Sequence, residues 1–175
     1  IKNPSGTVNI AVCGKYTDYL DAYKSISESF IHAGAENDVK VKVKYISAED
    51  FTKRKPENLL KDMDGVLVPG GFGERGIEGK LVAIQYVREN NIPFLGICLG
   101  MQCAVIEFAR NVLGIEDANS VEFDEDTKNP IIYLIDEFID ASGSKQVRTT
   151  TSPMGGTMRL GEYECETKEG SNLRT

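Results

Sequence analysis

Pro93-Phe94-Leu95-Gly96-Ile97-Cys98-Leu99-Gly100-Met101-Gln102 decides how the rest of the chain is read. Phe94 to Ile97 is a short apolar run with the length of a buried strand. It passes without a spacer into Leu99, Val105, Phe108, Val112 and Leu113, which read as an amphipathic helix closed by Gly114. Cys98 stands at that junction with glycines two places before and after it, the thiol form of the nucleophile elbow G-x-S-x-G. The turn is tight, and side chains at the two flanking positions would strike the adjoining strand and helix. A helix start also carries free N–H groups and a partial positive charge. Both favour the ionised, reactive thiol, and the N–H of Leu99 is placed to meet an oxyanion on a substrate carbonyl. The same pentapeptide equally fits a thiol that is simply buried at the end of a parallel strand.

Upstream, strands and helices alternate. Val8 to Val12 is an apolar run ending at Cys13-Gly14, and Ala22, Ile26, Phe30 and Ala33 line one side of a helix predicted to stop at Gly34. Val39 to Tyr45 alternates Val with Lys, which predicts a strand with one wet face near a sheet edge. Gly65 to Val68 is a third strand, and Leu81, Ala83, Ile84 and Val87 mark a helix ending at Asn90-Asn91. Such alternation implies an α/β fold, a mostly parallel open sheet with helices on both faces. Downstream, Asp117 to Asn129 reads as a polar loop, and Ile131 to Phe138 and Gly156 to Cys165 read as later strands. Residues 1–7 read as a linker and residues 8–175 as one domain.

The third strand runs into Pro69-Gly70-Gly71-Phe72-Gly73-Glu74-Arg75-Gly76. Gly71-x-Gly73-x-x-Gly76 matches a dinucleotide fingerprint in outline, but that fingerprint belongs to the first βα unit and needs an acid after the next strand. Here the next strand ends in Gly96-Ile97-Cys98. The better reading is a backbone loop beside Cys98, because neighbouring parallel strands deliver their C-terminal ends to one edge. A plain tight turn is the alternative.

A formal charge of −7 with scattered basic residues excludes the basic face of a nucleic-acid binder. Lys53-Arg54-Lys55 is expected to be a solvated loop. No apolar run approaches the ~20 residues of a membrane span, and the first residues lack the features of a signal peptide. The four cysteines have no metal spacing. That usage fits a cytoplasmic protein with reduced thiols. Cys13, Cys103 and Cys165 are expected to be core packing.

The elbow and the glycine loop together resemble the class I glutamine amidotransferases. Further strings extend the resemblance from about Val8 to the end: Val12-Cys13-Gly14-Lys15-Tyr16, Asp21-Ala22-Tyr23-Lys24-Ser25, Val68 to Gly73, Gly96 to Gln102, Asp117-Ala118-Asn119-Ser120, and Gly155-Gly156-Thr157-Met158-Arg159-Leu160-Gly161. The last is the most discriminating and points to the branch that aminates UTP to CTP. The resemblance implies a flavodoxin-like sheet and a glutaminase that releases ammonia through a cysteinyl thioester. It implies Cys98 as nucleophile, with Gly71 and Leu99 giving N–H groups to the oxyanion. Gly71, Leu99, Gly100, Met101 and Gln102 would line the L-glutamine site, and Glu122 would bind the ammonium of the substrate. By its residue type alone Glu122 is one of several acids on a solvated loop. No metal and no cofactor are expected in this domain. ATP and Mg²⁺ would serve a partner amidoligase (synthetase) domain, GTP would act as an allosteric activator, and the whole enzyme would be a homo-oligomer.

The sequence departs from the family at the His-Pro-Glu motif and an Arg-rich segment, neither of which it contains. Its single histidine, His32, falls on the first helix away from the apolar side and reads as a surface residue. Without a general base, these residues alone are expected to hydrolyse glutamine poorly or not at all. Competing readings are a DJ-1/PfpI-like or dienelactone-hydrolase-like cysteine protein, a nucleotide-binding module built on the Gly71 loop, and an inactive regulatory module.

Overall fold

The computed structural model describes residues 3–17, 19–133, 137–139, 144–147 and 164–171. They belong to two compact units, residues 1–134 and 135–175. In the first, strands β1 (Gly6–Gly14), β2 (Val39–Ser47), β3 (Gly65–Val68) and β4 (Phe94–Gly96) form one sheet in the order β2-β1-β3-β4. Every pairing is parallel, with Gly6 to Gly14 of β1 matched to Val39 to Ser47 of β2, and Val66 to Val68 of β3 matched to Phe94 to Gly96 of β4. The strand expected to begin at Val8 therefore starts at Gly6, inside the segment read as linker.

Residue chemistry explains the order. All four residues of β3 are buried, as a central parallel strand requires. In β2 the lysines at 40, 42 and 44 point outward between half-buried valines, which marks the predicted edge strand. Because side chains alternate across a sheet, Ala11, Cys13, Val66 and Val68 face the main core. That core is completed by Ile77, Leu81, Ile84 and Val87 of α3 (Ile77–Glu89) and by Leu99, Cys103 and Ile106 of α4 (Leu99–Asn111). A short helix, α2 (Pro56–Leu60), adds Leu59 and Leu60.

Helix α1 (Lys24–Glu36) packs on the opposite face against β2. Gly34 does not end it. The residue lies inside the helix, where an added Cβ would come within 2.7 Å of the Val39 carbonyl oxygen, so Gly34 is needed for close helix–strand approach. The chain instead leaves the helical path at Asn37, followed by Asp38 at φ 54°. The α1 face covers the sheet incompletely among the described residues. Leu95 of β4 remains 57% exposed, and with Ile26, Phe30, Leu67 and Ile97 it lines an apolar groove of about 390 Å³.

The segment read as a polar loop contains a short strand, β5 (Ala118–Ser120), which pairs in parallel with β6 (Asn129–Ile132). The single strand expected over 131–138 is thus two pieces. The second, β7 (Glu137–Ile139), pairs antiparallel with β8 (Lys145–Val147) in the other compact unit. An ion pair of 2.7 Å joins Glu137 and Lys145 there. Of the strand expected from Gly156 to Cys165, residues 156–163 lie outside the described residues, and Glu164 and Cys165 are in neither helix nor strand.

Candidate active site

The carboxyl ends of β3 and β4 meet at the proposed elbow. Cys98 occupies the N-cap of α4 with φ 53° and ψ −110°, a conformation that non-glycine residues seldom adopt. Its neighbours force this. A Cβ on Gly96 would lie 2.6 Å from the carbonyl carbon of Gly100, and one on Gly100 would lie 2.0 Å from the Val68 carbonyl oxygen. Strand, turn and helix are therefore in backbone contact, and only glycine fits at either position. The Cys98 carbonyl accepts the N–H of Met101 at 3.0 Å and of Gln102 at 3.1 Å, closing the first turn of α4.

The thiol of Cys98 is exposed. Cys13 and Cys103 are fully buried, and burial raises the Cys13 thiol to about 12 and the Cys103 thiol to about 11. The two behave as small core residues. Cys165, expected in the core, is instead exposed, because it lies in a stretch outside regular structure.

The diglycine bend sits directly beside the elbow. An added Cβ on Gly70 would lie 3.4 Å from Cys98 Cβ and 3.9 Å from its Sγ. One on Gly71 would lie 3.6 Å from Leu99 Cδ2. The side chain of Leu99 is buried and that of Met101 is exposed, while Gln102 is half-buried. Glu122 reaches the same loop from 49 residues away, its Oε1 accepting the N–H of Gly73 at 3.3 Å. The structure therefore gathers Gly71, Cys98, Leu99, Gly100, Met101, Gln102 and Glu122 around one end of the sheet. His32 lies exposed on α1. Among the described residues, no group of three or more His, Cys, Asp or Glu side chains is placed to hold a metal ion.

Several contacts of this end escaped the sequence reading. Lys15 Nζ donates to the Phe72 carbonyl at 2.9 Å, and Arg75 Nη2 donates to the Lys15 carbonyl at 3.4 Å, so the loop after β1 is tied to the glycine loop. The Tyr23 hydroxyl accepts the N–H groups of both Lys15 and Tyr16 at 3.0 Å. Lys80 is fully buried on α3, with Nζ 3.9 Å from the position of an added Gly71 Cβ. A signal for Lys80 was present: it lies three residues after Ile77 and four before Ile84, on the apolar stripe of its own helix.

The glutamine amidotransferase class-I family model matches residues 18–174. The chain belongs to the class I glutamine amidotransferase family. This amidotransferase is 61% identical over 171 residues to a CTP synthase of Wolinella succinogenes, covering 98% of the chain and 31% of that protein. It is 60% identical over 176 residues to a CTP synthase of Nautilia profundicola, covering 99% of the chain and 32% of the relative. The chain thus spans about a third of the length of the relatives it matches. Among solved structures it resembles a Trypanosoma brucei CTPS glutaminase domain with bound acivicin, at a TM-score of 0.68 and 41% identity, covering 74% of this chain and 50% of that one. The alternatives of a DJ-1/PfpI-like protein, a dienelactone-hydrolase-like enzyme or a nucleotide-binding module are not favoured by these similarities.

Proposed function

We propose that this amidotransferase chain is the glutaminase portion of a CTP synthase, with Cys98 as nucleophile. The observation that carries the reading is the exposed Cys98 held at φ 53° at a helix start, with the Gly70-Gly71 bend against it. The thiolate attacks the side-chain amide carbon of L-glutamine, and the carbonyl electron pair moves onto oxygen. The N–H groups of Gly71 and Leu99 receive that oxyanion. Collapse breaks the C–N bond, and the nitrogen departs as ammonia after gaining a proton. Water then cleaves the thioester to give glutamate and the free thiol. Family resemblance assigns both proton transfers to the His-Pro-Glu motif, which these 175 residues do not contain.

Gly100, Met101 and Gln102 line the substrate site in this reading. Glu122, a carboxylate already docked on the glycine loop through Gly73, faces the substrate ammonium. The ammonia serves an amidoligase domain that uses ATP and Mg²⁺ to aminate UTP. GTP acts as activator, and the complete enzyme is a cytoplasmic homo-oligomer.

Acivicin, seen bound in the trypanosomal relative, supplies the test. Incubation should add one reagent mass at Cys98, glutamine should slow the addition, and Cys98→Ala should abolish it. Labelling confined to Cys165, or labelling that glutamine does not slow, would overturn the proposal.

A further inference from the structure

Lys80 is the one fully buried lysine among the described residues. It occupies the apolar face of α3, where leucine or methionine would satisfy the packing. No hydrogen bond or ion pair reaches its ammonium among the described residues. Its Nζ instead lies against the diglycine bend, 3.9 Å from an added Gly71 Cβ, while Leu99 Cδ2 lies 3.6 Å from the same point. The amine therefore lies beside the diglycine bend that packs against Cys98, with the Leu99 side chain against the same point. A charge in that position is costly for folding, yet its field is little screened there. Both facts suit a group kept for what it does to the site.

We propose that Lys80 is a positioning residue for the Cys98 chemistry, the ammonium at the end of its buried side chain supplying a positive charge beside the Gly71–Leu99 oxyanion site. The proposal rests on the reading of Cys98 as nucleophile. The charge works in the same sense as the start of α4, favouring the thiolate before attack and the oxyanion after it. The groups facing Lys80 are Cys98 and Cys103 from α4 and Lys15 from the loop after β1. Burial pushes the Lys80 amine below the usual lysine range, the Cys103 thiol opposes that shift, Lys15 adds to it, and the Cys98 thiol opposes it. Around Cys103 stand Lys80, Glu78, Glu122 and Arg110. Of all these, Lys80 is the buried cation nearest the bend.

The test is alkylation of Cys98 by iodoacetamide as a function of pH, read by mass spectrometry at that residue. Sulfur displaces iodide in this reaction and no glutamine recognition is needed. Its outcome is therefore independent of the acivicin and glutamine-protection result. Lys80→Met should melt at or above the temperature of the parent chain, because methionine suits the apolar face of α3 without a charge to accommodate. Its alkylation should be severalfold slower at neutral pH, with the profile displaced to higher pH, and Lys80→Arg should stay near the parent profile. An unchanged rate and profile in Lys80→Met would overturn the proposal. So would a Lys80→Met chain that fails to fold while Lys80→Arg folds and alkylates as the parent does, since the amine would then be structural.

Discussion

Gly100 shows how narrowly single residues are specified at the elbow. A methyl group there meets the Val68 carbonyl oxygen at 2.0 Å, and that oxygen belongs to a central strand that cannot move aside. Gly100→Ala is expected to cost about 3 kcal/mol or more. Gly114→Ala offers the contrast. Its φ is 72° but nothing lies within 4 Å, so only the left-handed backbone opposes the methyl, at about 1 kcal/mol. Urea denaturation of the two variants checks the difference, and equal losses would mean that the elbow relaxes more readily than its packing implies. The elbow's need for small residues was legible in Gly96-Ile97-Cys98-Leu99-Gly100, because a tight turn between a strand and a helix leaves no other choice. The burial of Lys80 was legible only as an anomaly in an apolar stripe.

Helices α3 and α4 are joined by more than apolar contact. Glu107 of α4 is only 1% exposed, and Arg88 of α3 binds it with Nη2–Oε1 at 2.7 Å and Nε–Oε2 at 2.9 Å. Asn111 adds a third donor at 3.1 Å. The two partners are not equivalent, since 32% of the Arg88 side chain reaches solvent. Arg88→Met would strand a carboxylate in the interior, at a cost of about 3 kcal/mol. Glu107→Gln leaves a guanidinium that can turn toward water and an amide that still accepts a hydrogen bond, at about 1 kcal/mol. Melting of both variants decides the order. Equal costs would show that the pair is solvated more evenly than its burial indicates. At this scale the sequence located the helices, yet it misread Gly34 as a stop and assigned α4 the wrong face: Val105, Phe108, Val112 and Leu113 are exposed, while Leu99, Cys103 and Ile106 enter the core. Periodicity describes one helix at a time, and the need for Gly34 comes from the strand packed against it.

The whole molecule carries an alkaline liability. Cys13 is raised to about 12 and Cys103 to about 11, against an ordinary thiol value of 9.0, chiefly by burial. In the unfolded chain both thiols ionise near the ordinary value, while in the folded chain they stay protonated. Stability is therefore complete below about pH 9 and falls as pH rises toward 11 and then 12, with each thiol contributing up to about 1.4 kcal/mol per pH unit. Urea midpoints between pH 8 and 10.5 should decline, and Cys103→Ala should flatten the decline. A flat profile in the parent chain would show that the two thiols are more accessible than their packing implies. The sequence by itself determined the parallel α/β order, the edge placement of Val39 to Tyr45 and the identity of the elbow. All three follow from local patterns of apolar, charged and small residues. Only the tertiary structure decided that Glu122 meets Gly73, that Lys80 lies beside Gly71, that Leu95 stays exposed and that Cys165 lies outside the core. Those outcomes depend on which distant segments share one end or one face of the sheet, and residue spacing along the chain carries no record of that.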